Sequence, residues 1–189
     1  WMDKSSSDYY TANWNYRTIN RINSAGSIVW TYNMDGYAAS VTTSDLYVFA
    51  MTDYSNTIAV LDKTTGAYVK DIVLPGYFRT YGGLVYANGI IYISGIDSGG
   101  ISTVPNTWSA IHAFDASTGT YISSVATNQS AYSAAFDGET IWVSPWSNAI
   151  EGYKVSEGNA YENDGVGNKV VLTVTDAAGN TTTGIARVT

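Results

Sequence analysis

The sequence contains no cysteine, a single histidine and three prolines in 189 residues, and only nine of its side chains are basic. The absence of cysteine excludes disulfide bridges, thiolate metal sites and cysteine nucleophiles. Because 16 side chains are acidic, the net charge is −7. A nucleic-acid partner is therefore not expected, since phosphates are bound by clustered Lys and Arg.

Long apolar runs are also lacking, and no window approaches the roughly 18 apolar residues that a membrane-spanning helix needs. We therefore expect no membrane insertion. The chain begins at Trp1 without a basic stretch followed by an apolar run, which predicts a mature form from which the signal peptide is absent. Charged residues make up only 13% of the chain, whereas Tyr, Trp, Ser, Thr, Asn and Gly are abundant. This composition is typical of secreted β-proteins and predicts an extracellular or cell-surface location.

Two-residue alternation of apolar and polar residues recurs along the chain, and helical periodicity is almost absent. A strand that runs into a turn closed by glycine occurs four times, ending at Gly26, Gly66, Gly119 and Gly158. These glycines are separated by 40, 53 and 39 residues, which indicates a repeat of about 40 residues with an insertion in the third unit. We expect the insertion, residues 95–107, to be a surface loop with no role in a sheet.

The residues around these turns indicate the kind of repeat. Asp62 and Asp115 begin two of the turns, where a carboxylate accepts hydrogen bonds from the backbone two or three residues further on. Asn88-Gly89 and Asp137-Gly138 are strong hairpin signals between alternating segments. Four short antiparallel strands in about 40 residues are typical of a propeller blade. The prediction is an all-β, β-propeller-like array of about four four-stranded blades.

Two of the blades are predicted to be incomplete. The units span residues 8–32, 37–75, 76–125 and 130–158, so the first lacks its leading strand and the last has little room for its fourth. Three arrangements fit this count: a four-bladed ring closed by strand exchange, an open stack of sheets, or a piece of a longer chain. We assign residues 1–158 to the repeat domain and residues 159–189 to a separate strand pair.

Segments 19–30, 61–66 and 114–119 resemble the strand–turn–strand signature of quinoprotein-like (PQQ-like) β-propeller repeats, which YVTN-type surface-layer propellers share. The resemblance covers about residues 8–158 and implies blade architecture. These strands are scaffold in that family, so the resemblance implies neither a catalytic residue nor a quinone cofactor. The first and fourth units depart from the signature, because their turns lack the aspartate.

The C-terminal segment has a different pattern. Residues from about 165 to 189 resemble the last two strands of immunoglobulin-like modules of the HYR or PKD type, which are found in bacterial surface proteins. A complete sandwich of this kind needs about 100 residues, and a lone hairpin is marginally stable in water. The pair therefore packs on the repeat domain, completes a sheet of another subunit, or is the stub of a module. The strand-donating residues would be Val170, Leu172, Val174, Ile185 and Val188.

The sequence contains few residues whose type and spacing indicate catalysis, and we predict no catalytic residue. His112 lies in an alternating strand without a partner at metal-binding spacing, which favours a structural role. Hydrolysis of a glycosidic bond needs two convergent carboxylates; Asp53, Asp97 and Glu151 are available, but their spacing does not pair them. We expect no cofactor. Calcium is the one metal that the acidic composition brings into consideration, although segment 162–165 is too short to be a diagnostic calcium loop.

Aromatic residues are the better indication of a site. They either fill the wedges between blades, anchor a protein interface or stack on sugar rings. The candidates for interface or glycan contact are Trp14, Tyr16, Tyr77, Tyr81, Trp108 and Trp146. Asn128 and Asn180 stand in acceptor triplets for N-glycosylation.

The incomplete blades, the C-terminal strand pair and the low charge lead to a prediction of function. We expect a non-enzymatic extracellular structural or adhesion protein that acts through subunit–subunit contacts and polymerises into a surface filament or layer by strand complementation. Its partners would be further copies of itself, other surface proteins or glycans. The first alternative is a lectin-like, carbohydrate-binding propeller, and the second is a propeller-type hydrolase or lyase.

Overall fold

The computed structural model describes residues 6–97, 110–127, 131–144, 150–155, 168–175 and 181–188. These residues form an all-β structure, as the alternating sequence pattern predicts. Within these ranges no helix is long and apolar enough to cross a membrane. The strands are β1 (Tyr9–Asn13), β2 (Thr18–Ile22), β3 (Ile28–Asn33), β4 (Ala38–Thr43), β5 (Tyr47–Thr52), β6 (Ser55–Asp62), β7 (Tyr68–Arg79), β8 (Leu84–Ala87), β9 (Ile90–Ser94), β10 (Ile96–Asp97), β11 (Ala110–Asp115), β12 (Tyr121–Ala126), β13 (Ser133–Phe136), β14 (Thr140–Ser144), β15 (Glu151–Lys154), β16 (Asn168–Thr175) and β17 (Thr181–Val188).

Four successive antiparallel sheets form the blades. The first blade is β1-β2-β3, the second is β4-β5-β6-β7 with β10 at its outer edge, the third is β8-β9-β11-β12, and the fourth is β13-β14-β15. Strands β4, β8 and β13 begin their sheets and lie next to one another, with β1 beside β4, so these strands are innermost. The predicted propeller-like array is confirmed, and among the described residues the first and last blades have three strands each.

Because successive strands run in opposite directions, the connections collect at two ends of the array. We call one end the linker end. It carries the turns 14–17 and 53–54 and the linkers 34–37, 80–83 and 131–132, which lead into β4, β8 and β13. The other end, which we call the turn end, carries the glycine turns of the repeat.

The core lies in the wedges between neighbouring blades. Strand β5 is buried on both faces, with Val48 and Ala50 toward the first blade and Phe49 and Met51 toward the third. This burial explains why β5 reads as a continuous apolar run rather than as a strict alternation. Tyr92 fills the wedge between the third and fourth blades, where burial raises its pKa to about 12.

The glycine turns are also points of contact between blades. A Cβ atom at Gly66 would lie 2.6 Å from the Trp30 ring of the preceding blade, and one at Gly119 would lie 2.5 Å from the Val73 carbonyl oxygen. Both glycines have positive φ, 73° and 76°. Trp30 also donates a hydrogen bond from Nε1 to the Lys63 carbonyl, at 3.2 Å. Glycine is thus required at both positions for two reasons, the positive φ of the backbone and the close approach of the neighbouring blade.

The aspartates of these turns accept the predicted hydrogen bonds. Asp62 accepts hydrogen bonds from the backbone N–H groups of Thr64 and Thr65 and from the Thr65 hydroxyl. The backbone N–H and hydroxyl of Thr65 lower the pKa of Asp62. The Ser117 hydroxyl is the main cause that lowers the pKa of Asp115.

Two predictions about the strands need correction. The second unit does not end at residue 75, because β7 continues through Pro75 and Gly76 to Arg79. The third-unit insertion does have a sheet role at its start, since Ile96 and Asp97 pair with Arg79 and Phe78. The extension of β7 presents backbone groups that need partners, and β10 provides them.

The predicted C-terminal hairpin is present as the antiparallel pair β16–β17. Strand β16 approaches β15, and β17 approaches β12. The division of the chain at residue 158 and the immunoglobulin-like kinship of this pair stay predictions.

A pair of glycine variants separates backbone strain from the contact between blades. Gly26 has a φ of 82°, and a Cβ there would meet nothing within 4 Å. Gly26→Ala should lower the free energy of unfolding by about 1–2 kcal/mol, from the left-handed backbone alone. Gly66→Ala should lower the free energy of unfolding by about 1–3 kcal/mol more than Gly26→Ala does, because its methyl group also overlaps the Trp30 ring. Urea unfolding followed by circular dichroism measures both, and equal losses would contradict the role of the contact.

The aspartate turns predict a loss of stability in acid. Because folding lowers the pKa of Asp115, this carboxylate stabilises the protein above the unfolded-state value of about 3.9. That contribution is lost as the pH falls through the lower folded-state pKa. Asp115→Asn should cost about 1 kcal/mol at neutral pH and should flatten the loss of stability below about pH 4. Unfolding curves between pH 7 and pH 2 test this, with Asp45→Asn in an exposed turn as the control.

Candidate functional site

A groove of about 360 Å³ opens between the first and second blades. The first blade contributes the end of β3 and the linker that follows it, and the second blade contributes β5, β6 and β7. The residues that line the groove are Tyr32, Met34, Asp35, Gly36, Thr52, Thr57, Ala59, Tyr68 and Asp71. This lining includes two carboxylates and two phenols but no basic side chain.

The strand pairing explains why Asp71 faces the groove. Asp71 stands opposite Ala59 in the β6–β7 ladder, so both side chains share the face toward the first blade. The next residue, Ile72, points the other way and is buried against the third blade. The small side chain of Ala59 leaves the space that a larger residue would fill.

The two phenols show that the polar groups of the groove interact. Burial, followed by the charges of Asp71 and Asp35, raises the pKa of Tyr32. Burial also raises the pKa of Tyr68, to which the charge of Asp71 and a hydrogen bond with it contribute. Two carboxylates from different segments, Asp35 and Asp71, therefore act on the same phenol. Such a set can donate and accept protons around a bound substrate.

A second feature lies at the linker end, where four aromatic rings from four blades contact one another. Trp14 and Tyr37 are stacked with ring centroids 5.0 Å apart and planes 9° apart. Trp14 also contacts Tyr81, at 5.6 Å, and Tyr81 lies parallel to Tyr132, at 6.3 Å. We call these four residues the aromatic stripe.

Two arginines flank the aromatic stripe. The Arg17 guanidinium lies 4.9 Å from the Tyr37 ring centroid, and that of Arg79 lies 5.8 Å from the Tyr81 centroid. Arg79 also forms an ion pair with Asp53, at 3.4 Å. Cation–π contacts of this kind contribute about 0.5–1 kcal/mol each at exposed sites. The stripe is therefore a fixed arrangement of rings with polar groups at its margins.

The structure brings together some of the residues proposed from the sequence. Trp14 and Tyr81 are in contact, Tyr16 is 79% exposed on the same turn as Trp14, and Tyr77 stacks on Tyr54 at 5.3 Å. Trp108, Trp146, Asn128 and Asn180 lie outside the described residues. Val170, Leu172 and Val174 lie in β16, and Ile185 and Val188 lie in β17. Their proposed role as donated strands stays a prediction.

Sequence reasoning missed Asp35, Asp71, Tyr37 and Tyr132. The tyrosines carry a signal that comparison of the repeats can detect, because Tyr37, Tyr81 and Tyr132 each stand within three residues before the first strand of a blade. No comparable signal marks Asp35 and Asp71, since the pairing of their segments depends on how two blades pack.

The other titratable candidates have different surroundings. His112 is buried, with Nδ1 2.8 Å from the Ser124 hydroxyl and its ring 5.1 Å from that of Phe78. Asp53 is paired with Arg79, and Glu151 accepts a hydrogen bond from the Tyr153 hydroxyl. Among the residues that the structure describes, no group of three or more His, Asp or Glu side chains is arranged to hold a metal ion. The calcium prediction is untested.

Comparison with known proteins extends the description of the fold. No protein-family model matches the chain, and no curated protein is similar to it in sequence. Among solved structures, a glutaminyl cyclase from Myxococcus xanthus has a TM-score of 0.61 at 10% identity, covering 97% of this chain and 88% of that chain. Hydrazine synthase from Kuenenia stuttgartiensis has a TM-score of 0.57 at 11% identity, covering 96% of this chain and 64% of that chain. Both are β-propeller-type folds, so the chain has a fold of this type.

These comparisons correct the predicted function. The prediction of a non-enzymatic structural or adhesion protein is wrong, because the neighbours that share the fold over almost the whole chain are enzymes. At 10–11% identity the likeness itself shows the fold alone. What this chain does is therefore inferred from its own residues.

The groove predicts a change in tyrosine titration. Asp71→Asn removes one negative charge near Tyr32 and Tyr68, so the pKa of both phenols should fall toward 10 while the part caused by burial remains. Titration of the tyrosine Cζ signals by NMR measures each phenol separately. Asp45→Asn is the control, and unchanged Tyr32 and Tyr68 curves in Asp71→Asn would show that the carboxylate does not act on them.

Proposed function

We propose that the protein is an enzyme that hydrolyses a glycosidic bond in the groove between its first two blades. The observation that carries this proposal is the convergence of Asp35 and Asp71, from two segments 36 positions apart in the chain, on one groove. Glycoside hydrolysis requires a pair of carboxyl groups on either side of the scissile bond. Hydrolysis was an alternative in the prediction from sequence, in which no pair of carboxylates was singled out.

The surroundings of the two carboxylates assign their roles. Asp71 shares the groove with Tyr68 and Tyr32, and its charge contributes to the raised pKa of both phenols, so we assign Asp71 as the base that takes a proton from the attacking water, or as the nucleophile. Asp35 lies on the opposite wall, in the linker, and donates a proton to the leaving-group oxygen. The separation of the two carboxyl groups decides between inversion and retention of the anomeric centre.

The hydroxyl-rich lining suits a sugar. Thr52, Thr57 and the two tyrosines supply donors and acceptors for substrate hydroxyls around the carboxylates. The enzymes among the structural neighbours support an enzymatic reading of the fold but specify no glycosidic substrate.

A second candidate reaction follows from the absence of basic residues in the lining. Two carboxylates and two phenol rings suit a substrate with a primary ammonium group. One neighbour is a glutaminyl cyclase. In such a cyclisation the amine nitrogen bonds to the side-chain amide carbon, the bond from that carbon to nitrogen breaks, and ammonia leaves with the amine proton. Asp71 would carry this proton.

The location of the protein, its kinship with known repeats and its self-association are also proposals. The low charge and the abundance of Ser, Thr, Asn and Tyr support a secreted or cell-surface enzyme. The turn signature supports kinship with quinoprotein-like or YVTN-type repeats, and segment 165–189 supports kinship with HYR or PKD-type strands. Self-association is likewise a proposal, supported by the incomplete first and fourth blades.

Activity measurements on matched variants test the proposed reaction. The wild-type protein should release reducing ends from at least one substrate in a panel of chromogenic glycosides and polysaccharides. Asp35→Asn and Asp71→Asn should each lower kcat by at least about 100-fold, because each removes one proton-transfer group. Asp45→Asn, an exposed carboxylate outside the groove, should leave the rate unchanged.

The same panel includes peptides that begin with glutamine, with ammonia release as the readout. Ammonia release that depends on Asp71, without cleavage of any glycoside, would replace hydrolysis by cyclisation. Inactivity on every substrate, or full activity of Asp71→Asn, would refute the groove as the active site.

A further inference from the structure

Three of the four rings of the aromatic stripe come from equivalent parts of successive blades. Tyr37, Tyr81 and Tyr132 come from the three linkers, and Trp14 comes from the turn between β1 and β2. The linkers are anchored by backbone hydrogen bonds, from Asp53 N to Tyr37 O at 3.0 Å and from Tyr132 N to Ser144 O at 3.2 Å. The rings are therefore positioned by the sheets rather than by a free loop.

The rings of the stripe are accessible to a ligand and already contact one another. Trp14 is 36% exposed and Tyr37 is 47% exposed, while Tyr81 and Tyr132 are half-buried. Each ring contacts at least one other ring of the stripe. Aromatic side chains with few torsions, already held by stacking, lose little further conformational entropy on binding.

The stripe is continuous with the groove. Asp35 and Gly36 line the groove, and the next residue, Tyr37, begins the stripe. One linker therefore carries both a carboxylate of the proposed active site and a ring of the aromatic surface. A long substrate bound across the rings would be directed toward Asp35.

The chemistry of the stripe matches a chain of sugar rings. The C–H faces of a pyranose pack against the electron-rich face of an aromatic ring, and its hydroxyls need donors and acceptors beside that ring. The guanidinium of Arg17, over the Tyr37 ring, and the ion pair of Arg79, over the Tyr81 ring, with Asp53 provide these groups. The net charge of −7, and the use of Asp53 as counter-ion to Arg79, disfavour an acidic polymer.

We propose that the aromatic stripe binds an uncharged polysaccharide of pyranose units and presents it to the groove. This inference rests on the proposed glycosidase function for its substrate class, but binding to the stripe is measured separately from cleavage. Trp14 and Tyr37 are the main contacts because they are the most exposed rings of the stripe. Trp, Tyr and Arg are also common at protein interfaces, so self-association is the competing outcome of the test.

Affinity gel electrophoresis is the direct test, because it measures retardation by a polymer without requiring turnover. The protein is used as the full chain carrying Asp71→Asn, so that the polymer is not cleaved. The gels contain xylan, galactomannan, hydroxyethylcellulose or, as the acidic polymer, polygalacturonate. Retardation by at least one uncharged polymer is expected, and Trp14→Ala and Tyr37→Ala should each weaken binding about tenfold, as for the loss of one stacked ring.

Matched controls separate loss of the ligand contact from loss of the fold. Trp142→Ala removes a tryptophan that is 43% exposed outside the stripe, and Tyr47→Ala removes a tyrosine that is 38% exposed at the turn end. Both should bind the polymer as the parent does. Trp14→Tyr keeps an aromatic ring and should restore most of the affinity that Trp14→Ala loses. Thermal unfolding of every variant confirms that it is folded.

Several results would overturn the proposal. They are the absence of retardation by every uncharged polymer, retardation by polygalacturonate alone, and retardation that Trp14→Ala and Tyr37→Ala leave unchanged. Concentration-dependent sedimentation abolished by Trp14→Ala, without polysaccharide binding, would identify the stripe as an interface between copies.

Different results would refute the proposal for the stripe and the proposal for the groove. Polymer binding without hydrolysis by the wild-type protein refutes the glycosidase and leaves the stripe as a binding surface. Hydrolysis of short chromogenic glycosides without polymer binding refutes the stripe and leaves the glycosidase.

Discussion

The packing of one blade's outer strand against the glycine turn of the next blade is the contact on which this fold depends. At Gly66 and Gly119 the neighbouring blade comes so close that no Cβ atom fits. The same turns accept hydrogen bonds from basic side chains of the preceding blade, from Arg21 to the Thr64 carbonyl and from Lys70 to the Ser117 carbonyl. This repeated contact fixes the angle between blades, and the angle determines where the rest of the surface lies.

Both proposed sites are consequences of that angle. The groove lies between the first and second blades, where Ala59 of β6 and Gly36 of the linker are too small to fill the space beside Tyr32 and Asp71. The aromatic stripe exists because the linkers of successive blades converge at one end. A propeller-type scaffold thus places residues from distant parts of the chain on one surface without a dedicated loop.

The blade architecture could be predicted because its signals are local. Alternating strands, the Asp-to-Gly turns and the Asn88-Gly89 hairpin each depend on neighbouring residues, and the structure shows all of them. The carboxylate pair could not be predicted in this way. Asp71 faces the groove because of its register with Ala59, and that register includes a shift between Val60 and Leu61 that no local pattern reveals. The wrong prediction of function has a similar origin, because incomplete blades indicate open edges in the sequence, whereas the surfaces between blades depend on packing.

The division of the core into three wedges has a consequence for folding. Each cluster of buried side chains joins two adjacent blades, so the described blades are coupled as nearest neighbours. Among the described residues the second and third blades each take part in two of these clusters, whereas the first and fourth each take part in one. Partial opening should therefore start at the outer blades and spread inward. The groove, which has one wall in the first blade, lies beside the part of the array that opens most readily, and its shape is tied to the docking of that blade.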